Sequence, residues 1–263
     1  MNAPMGREPL LRDAMAAEWT KLWSVRSTWW CLGTAILLQA LYATLLGTDA
    51  RVDLEGNGAE PLTLGDAGLA SLQFAQYALI AWALLAVTSE YSSGLIGTTL
   101  RCVPVRGRAL AAKAIVVAGT AGTAGVALML VAALGAGLAA GGSSVFGAGD
   151  FALDALIVVG YAGALALFTL GLGLALRSAV GGLTVVLVVA VVLPTALPRI
   201  GLHAVSVVND YLPGSASVAV LYGRLTDAKV TLPYGVTTAL LVLAAWALGA
   251  LGLGYLALRA RDA

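Results

Sequence analysis

Apolar residues along this 263-residue chain are collected into long runs that are separated by shorter polar stretches. Six runs come close to or exceed the roughly 20 apolar residues that a helix needs to cross a hydrocarbon core of about 30 Å. None of these runs contains lysine, arginine or histidine. The pattern therefore predicts six transmembrane helices, at residues 28–47, 69–88, 114–140, 153–176, 180–197 and 235–258.

Composition supports the same class of protein. Hydrophobic residues make up 60% of the chain and charged residues 11%, whereas ordinary soluble domains carry about 25% charged residues. We therefore predict an all-α integral membrane protein with a single transmembrane domain over residues 1–263. The long third run allows two interpretations, namely one tilted helix, or a helix followed by a re-entrant piece.

The distribution of charge predicts the orientation. With a cytoplasmic N-terminus, eleven of the fifteen basic residues lie on the cytoplasmic side, as the positive-inside rule requires. Both termini are then cytoplasmic and the chain lies in the cell membrane. The net charge of +1 gives no concentrated basic face for a nucleic acid. The first outer loop is predicted to hold five acids: Asp49, Asp53, Glu55, Glu60 and Asp66.

The N-terminal segment 8–27 is predicted to form an amphipathic helix in the membrane interface. Its apolar face is predicted to hold Leu11, Met15, Trp19, Leu22 and Val25. Glu18 falls among these apolar residues, where a carboxylate should have a basic partner. Either Glu18 pairs locally with Lys21, or it ties the helix to the basic cytoplasmic loop that follows the second span.

That loop, predicted over 89–113, is unusually long and carries four basic residues, whereas connections between packed helices usually need about 2–8 residues. It is predicted to offer a surface to a cytoplasmic partner. Pro104 is expected to end a short helix, and Gly107 to let the chain turn before the third span. The outer loop 198–234 is predicted to hold short helices that lie on or dip into the outer leaflet.

Two cytoplasmic segments carry a family resemblance. The first reads AEWTKL over 17–22 and SVRSTWW over 24–30. The second reads EYSSG over 90–94, followed by Ile96, Thr98, Thr99, Leu100, Val103, Pro104, the Arg-Gly-Arg of 106–108, Ala112 and Lys113. The chain thereby resembles the membrane subunits of ABC-2 type exporters, in particular the six-helix permeases common in actinobacteria. The hydropathy layout is similar over the whole chain.

The resemblance implies a permease that dimerises with itself or a sibling chain and binds a separate cytoplasmic ABC ATPase, which holds the ATP and magnesium. The loop after the second span would form a coupling helix. The implied ATPase-coupling residues are Glu90, Tyr91, Ser92, Gly94, Ile96, Thr98, Thr99, Leu100 and Arg101. The implied interfacial-helix residues are Glu18, Trp19, Lys21, Leu22 and Arg26. Gly97 and Val105 stand where family members often have a basic residue, which implies a less charged contact.

The chain itself shows no sign of enzymatic chemistry. A phosphate-binding loop ends in Gly-Lys-Ser/Thr, but none of the three lysines follows a glycine. The single histidine, His203, lies in the predicted outer loop, and neither a catalytic residue nor a metal site is predicted. Glycines 171, 173, 181 and 182 and the pairs Ala245–Gly249 and Ala250–Gly254 are interpreted as helix-packing positions.

Five polar residues within the spans are candidates for the cargo path: Gln39, Thr44, Gln73, Gln76 and Thr184. Interhelical hydrogen bonding is the alternative role of each. A mostly apolar path favours export of a hydrophobic or amphiphilic molecule such as an antibiotic, a lipid or a peptide-like compound. Two other functions stay open, a non-transporting membrane anchor or regulatory subunit, and an ion-coupled carrier. A carrier usually needs ionisable groups at mid-membrane, yet Asp154, at a span margin, is the single one in the predicted spans.

Overall fold

The computed structural model describes residues 11–58, 60–92, 94, 106–224 and 234–261. These residues are almost entirely helical. The helices are α1 (Leu11–Ser24), α2 (Arg26–Asn57), α3 (Leu64–Ser92), α4 (Arg106–Ala140), α5 (Ala148–Leu176), α6 (Ala179–Leu187), α7 (Leu193–Ala196), α8 (His203–Asp210), α9 (Pro213–Tyr222) and α10 (Val236–Arg261).

Among the residues that the structure describes, six helical segments are long and apolar enough to cross a membrane, which equals the predicted number of apolar spans. Five of them are α2, α3, α4, α5 and α10. The remaining one, Ala179–Ile200, is the fifth span in chain order. It is a composite in which α6 continues through a π-helical turn at Val188–Val192 into α7 and a short 3₁₀ turn. The predicted all-α class and the predicted set of six apolar helices are therefore confirmed.

The first span is longer than predicted. It continues to Asn57, ten residues beyond the predicted end at residue 47, and is closed by Gly58 in a left-handed conformation with φ of 64°. Asp49, Asp53 and Glu55 therefore lie on a helix and not in a loop, which corrects the prediction. Helix-compatible charged residues permit this extension, and Arg51 Nε lies 3.0 Å from Glu55 Oε1 one turn away.

The third span is one continuous helix of 35 residues, so the alternative of a helix plus a re-entrant piece is wrong. It begins at Arg106, and Gly107 lies inside its first turn instead of turning the chain. The alanine- and leucine-rich sequence after Gly107 favours helix strongly enough to include it. Helix therefore takes up residues 89–92 and 106–113 of the predicted loop 89–113. Pro104, the predicted helix end, lies outside the described residues.

The π turn in this fifth span of the chain has an identifiable cause. Pro194 has no N–H, so the carbonyl of Ala190 four residues earlier loses its helical donor. Gly214 at the start of α9 packs against this carbonyl, and a Cβ at Gly214 would lie 2.0 Å from the Ala190 oxygen. Only glycine fits at this contact.

Short helices occupy the predicted outer loop, as expected. In α8, Val207 and Val208 are exposed, whereas seven of the ten residues of α9 are buried. The short helix α9 packs on α10 and α3 inside the helix bundle. It therefore dips into the protein itself.

One small sheet was not predicted. Leu62–Thr63 (β1) pairs in parallel with Ser144–Val145 (β2), joining the α2–α3 connection to the α4–α5 connection. Thr63 also caps α3, because its hydroxyl accepts a hydrogen bond of 3.2 Å from the N–H of Asp66 and donates one to the Asp66 carboxylate.

The core centres on α5, which packs most extensively against α10. Their backbones touch at Gly171, where a Cβ would lie 2.3 Å from the carbonyl carbon of Ala250, and Gly254 lies against the same turn. Gly171, Ala250 and Gly254 are thus packing positions, as predicted. Gly249 has no atom of another helix within 4 Å of an added Cβ, so the Ala245–Gly249 pair does not mark this helix contact.

Candidate functional site: a buried ion quartet

Four charged side chains meet at the end of the bundle where α1 lies. Glu18 and Lys21 come from α1, Glu90 from the last turn of α3, and Lys113 from the third turn of α4. We call this group the ion quartet. It joins α1 to the end of α3 and the start of α4.

The ion pairs of the quartet form a closed network. Lys21 Nζ lies 2.7 Å from Glu18 Oε1 and 3.3 Å from Glu90 Oε1. Lys113 Nζ lies 2.8 Å from the same Glu90 oxygen and also contacts Glu18 Oε2. Each lysine therefore contacts both carboxylates. Both predicted roles of Glu18 occur together, the local pair with Lys21 and the tie to the segment after the second span.

Three members of the quartet are almost fully buried. The side chains of Glu18, Glu90 and Lys113 are 8%, 6% and 9% exposed, against 34% for Lys21. Burial alone raises the pKa of Glu18, but the Lys113 and Lys21 ammoniums outweigh it and hold the pKa below its ordinary value. Burial tends to lower the pKa of Lys21, yet the bonds to Glu18 and Glu90 raise it overall. Both groups are charged at neutral pH.

The sequence of α1 explains how Glu18 reaches this position. The buried stripe of α1 consists of Ala14, Glu18 and Leu22, spaced four residues apart on one helix face. Ala14 packs against Ala112 of α4, and Leu22 belongs to the core cluster of α3 to α5. The small side chain at position 14 lets α1 approach α4 closely enough for Glu18 to contact Lys113.

The predicted apolar face of α1 is only partly inside the protein. Leu22 is buried, whereas Leu11, Trp19 and Val25 are exposed. Trp23 contacts the rings of Trp19 and Trp29 at centroid distances of 5.5 and 5.2 Å. Of the predicted interfacial residues, Lys21 is half-buried and Arg26 is exposed. The exposed aromatic surface suits the polar–apolar boundary of a bilayer.

A cavity of about 400 Å³ lies beside the ion quartet. All four quartet residues line it, together with Ser24, Ser27 and Ser89 and a set of aliphatic side chains from α3 and α4. It lies beneath the junction of α1 and α2, where Val25 interrupts the helix with an extended backbone.

The predicted ATPase-coupling residues divide into two groups. Glu90 and Tyr91 lie in the last turn of α3, and Gly94 follows in a turn with φ of 71°. The Glu90 carboxylate faces the quartet, and the Tyr91 ring lies 5.0 Å from the guanidinium of Arg177. Ser92 ends α3. The other five predicted residues, Ile96, Thr98, Thr99, Leu100 and Arg101, lie outside the described residues.

The candidate path residues do not converge on one channel within a single chain. Gln39 is fully buried and donates to the Gly68 carbonyl at 3.1 Å and the Ser71 hydroxyl at 2.8 Å. The Gln76 side chain accepts a hydrogen bond from Tyr161 of α5. Both glutamines therefore make interhelical hydrogen bonds, the alternative role. Gln73 beside them is half-buried.

The two threonines among the path candidates lie elsewhere. Thr44 and Thr184 are exposed on the surface of the single chain. Each donates its hydroxyl hydrogen bond to a carbonyl of its own helix, Ala40 and Val180 respectively. Neither hydroxyl is hydrogen-bonded to Gln39 or Gln76, so the five residues form no continuous hydrogen-bonded lining.

A second buried ion pair lies at the opposite end of the bundle. Asp154 of α5 is 2% exposed, and its Oδ1 lies 2.7 Å from Nε of Arg224, the residue two positions after α9. Asp150, one turn earlier, is 81% exposed and lies 3.5 Å from the same guanidinium. Sequence reasoning missed this pair. The carboxylate at a span margin was the available signal, because such a group requires a basic partner.

No protein-family model and no curated protein matches the sequence. Among the residues that the structure describes, no group of three histidine, cysteine, aspartate or glutamate side chains is arranged to hold a metal ion.

Proposed function

We propose that the chain is the permease subunit of an ATP-driven exporter of the ABC-2 type, with both termini in the cytoplasm. In this proposal a separate cytoplasmic ATPase binds and hydrolyses ATP, and the permease pairs with a second permease chain. The cargo is a hydrophobic or amphiphilic molecule. The chain itself performs no chemistry.

The observation that carries the proposal is the position of the ion quartet. It connects α1, the end of α3 and the start of α4, and the segment that resembles a coupling helix lies between α3 and α4 in the sequence. A force applied to 93–105 would act on three helices that are already tied together. An anchor that merely holds another complex in the membrane would not require such coupling.

Burial makes the ion pairs between these helices hard to separate. A partly buried charge network is costly to break when one partner is removed, because the remaining charge is left in a medium of low polarity. Glu90 therefore serves the proposal as a residue that transmits displacement from the coupling segment, and the partner contact falls on the residues that follow it. This refines the role that the resemblance implied for Glu90.

The proposal is tested by purifying the tagged chain from its native membranes in mild detergent after crosslinking and identifying bound proteins by mass spectrometry. Ile96→Arg introduces a charge into the coupling segment. Ile200→Arg makes the same change at an exposed residue at the opposite end of the bundle and serves as the matched control.

We expect an ATPase with nucleotide-binding motifs to be recovered with the wild type and with Ile200→Arg, and to be lost with Ile96→Arg. Recovery of no nucleotide-binding protein with the wild type would overturn the proposal and leave a stand-alone carrier or a membrane anchor. Recovery that depends on Ile200 in place of Ile96 would overturn the assigned coupling surface.

A further inference from the structure

The cavity beside the ion quartet is amphiphilic. Its polar lining consists of the four quartet side chains and the hydroxyl groups of Ser24, Ser27 and Ser89. Its aliphatic lining includes residues of the spanning helices: Leu85 and Ala86 of α3 and Val116 and Val117 of α4. A ligand that fills this cavity needs a polar head joined to an apolar body.

The cavity lies at the depth where such molecules are present in a bilayer. Trp19, Trp29 and Trp30 at the same end of the bundle are 50%, 62% and 77% exposed, and exposed tryptophan is enriched at the headgroup level. Ser24 and Val25 in the cavity lining are themselves exposed. The cavity therefore opens at the α1–α2 junction, beside the headgroups.

The charges of the lining select the kind of headgroup. Two carboxylates and two ammoniums give the quartet a formal charge of zero. A headgroup with a net charge would add an uncompensated charge to a partly buried site, which is unfavourable. A zwitterionic headgroup adds none, because its phosphate can approach Lys21, the most exposed quartet member, while its cation approaches the hydroxyl and carboxylate oxygens.

The lining also distinguishes between two zwitterionic headgroups. A primary ammonium donates three hydrogen bonds, and the serine hydroxyls and carboxylates supply oxygen acceptors. A quaternary ammonium donates none and is usually bound by aromatic rings, but no aromatic side chain is among the described residues that line this cavity. The chemistry favours ethanolamine over choline.

We propose that the cavity beneath the α1–α2 junction binds phosphatidylethanolamine, with the phosphate at Lys21 and the acyl chains along the α3–α4 wall. The proposal does not depend on an ATPase partner, so it stands or falls separately from the exporter assignment. It makes α1 a lipid-binding element as well as an interfacial helix.

The experiment is native mass spectrometry of the delipidated full chain, incubated with equal amounts of palmitoyl-oleoyl phosphatidylethanolamine, phosphatidylcholine and phosphatidylglycerol. Ala86→Phe fills the cavity without altering a charge. Ala152→Phe is the matched control. It makes the same change at an exposed alanine near the start of α5, at the opposite end of the bundle from the cavity. Thermal unfolding of each variant is measured in the same detergent.

We expect phosphatidylethanolamine to be retained about tenfold over the other two lipids by the wild type and by Ala152→Phe, and this preference to be lost in Ala86→Phe. Equal retention of the three lipids, or an unchanged preference in Ala86→Phe, would overturn the proposal. If Ala86→Phe does not fold, Ser27→Ala replaces it, and an ethanolamine-to-choline ratio equal to that of the wild type is then the contrary result.

Discussion

Lys113 Nζ lies 2.8 Å from Oε1 of Glu90, although the two residues are 23 positions apart in the chain and lie on different helices. Both side chains are less than a tenth exposed. The contact holds together the two ends of the chain segment between them. A partner that binds this segment therefore pulls or pushes on α3 and α4 at the same time.

Glu18→Gln tests the energetic importance of the quartet. Loss of the charge leaves two lysines to share Glu90, and removal of one partner from a buried charge pair typically costs about 3 kcal/mol. We expect the thermal unfolding midpoint in detergent to fall clearly. The control is Glu55→Gln, which removes the exposed pair with Arg51, where an effect below about 1 kcal/mol is expected. Equal midpoints for the two variants would contradict the assigned role.

The quartet also predicts how stability depends on pH. The pKa of Glu18 is lowered from 4.5, so its contribution is fully present above about pH 4.5 and is lost as the pH falls through the folded-state value. The pKa of Lys21 is raised from 10.5, so its contribution is present below that pH and is lost as the pH rises through the folded-state value. Unfolding midpoints measured across the pH range should show both losses.

Glu18→Gln supplies the control for this pH dependence. The variant lacks the titrating carboxyl, so the acid-side loss of stability should become smaller while other carboxyl groups continue to titrate. An acid limb identical to that of the wild type would show that Glu18 does not contribute to it.

Asp154→Asn tests the ion pair at the opposite end. Asp154 is buried against Arg224, so we expect a loss of about 3 kcal/mol and weaker attachment of the chain after α9. Asp150→Asn, which alters an exposed carboxylate near the same arginine, should cost less than about 1 kcal/mol. Protease sensitivity in the segment that follows α9 provides the second measurement, and a greater sensitivity in Asp150→Asn would contradict the expected order.

Gly171→Ala tests the close crossing of α5 and α10. The new methyl group would lie 2.3 Å from the Ala250 carbonyl carbon, so the helices must separate, at a typical cost of 1–3 kcal/mol. The control is Gly249→Ala. Gly249 precedes Ala250 on α10 and has free space for the methyl group, so this variant should be neutral or stabilising by up to about 1 kcal/mol. A reversed order of unfolding midpoints would refute the crossing.

The six spans were predictable because each is determined by local hydrophobicity over about 20 residues. Their ends were less predictable. Asp49, Asp53 and Glu55 interrupt the apolar pattern but not the helix, because charged residues are tolerated on a helix outside an apolar phase. Gly107 likewise occurs within a helix where a turn was expected. The end of an apolar run is therefore a poor guide to the end of a helix.

The candidate site shows a similar division. The sequence of α1 indicated that Glu18 needs a base, and one of the two proposed partners lay in the segment that holds Lys113. It did not indicate that Glu90 faces the same point, because that depends on how α3 and α4 pack against each other. The Asp154–Arg224 pair escaped prediction for the same reason, since it joins positions 70 residues apart.

The pairing of Leu62–Thr63 with Ser144–Val145 has a consequence for motion. It fastens two of the interhelical connections at one end of the bundle, so α2 to α5 cannot spread apart there without breaking hydrogen bonds between strands. A rocking movement of these four helices that keeps those hydrogen bonds has its pivot near this sheet. Such a movement displaces the opposite end of the bundle most, where the ion quartet makes α1, the end of α3 and the start of α4 move together.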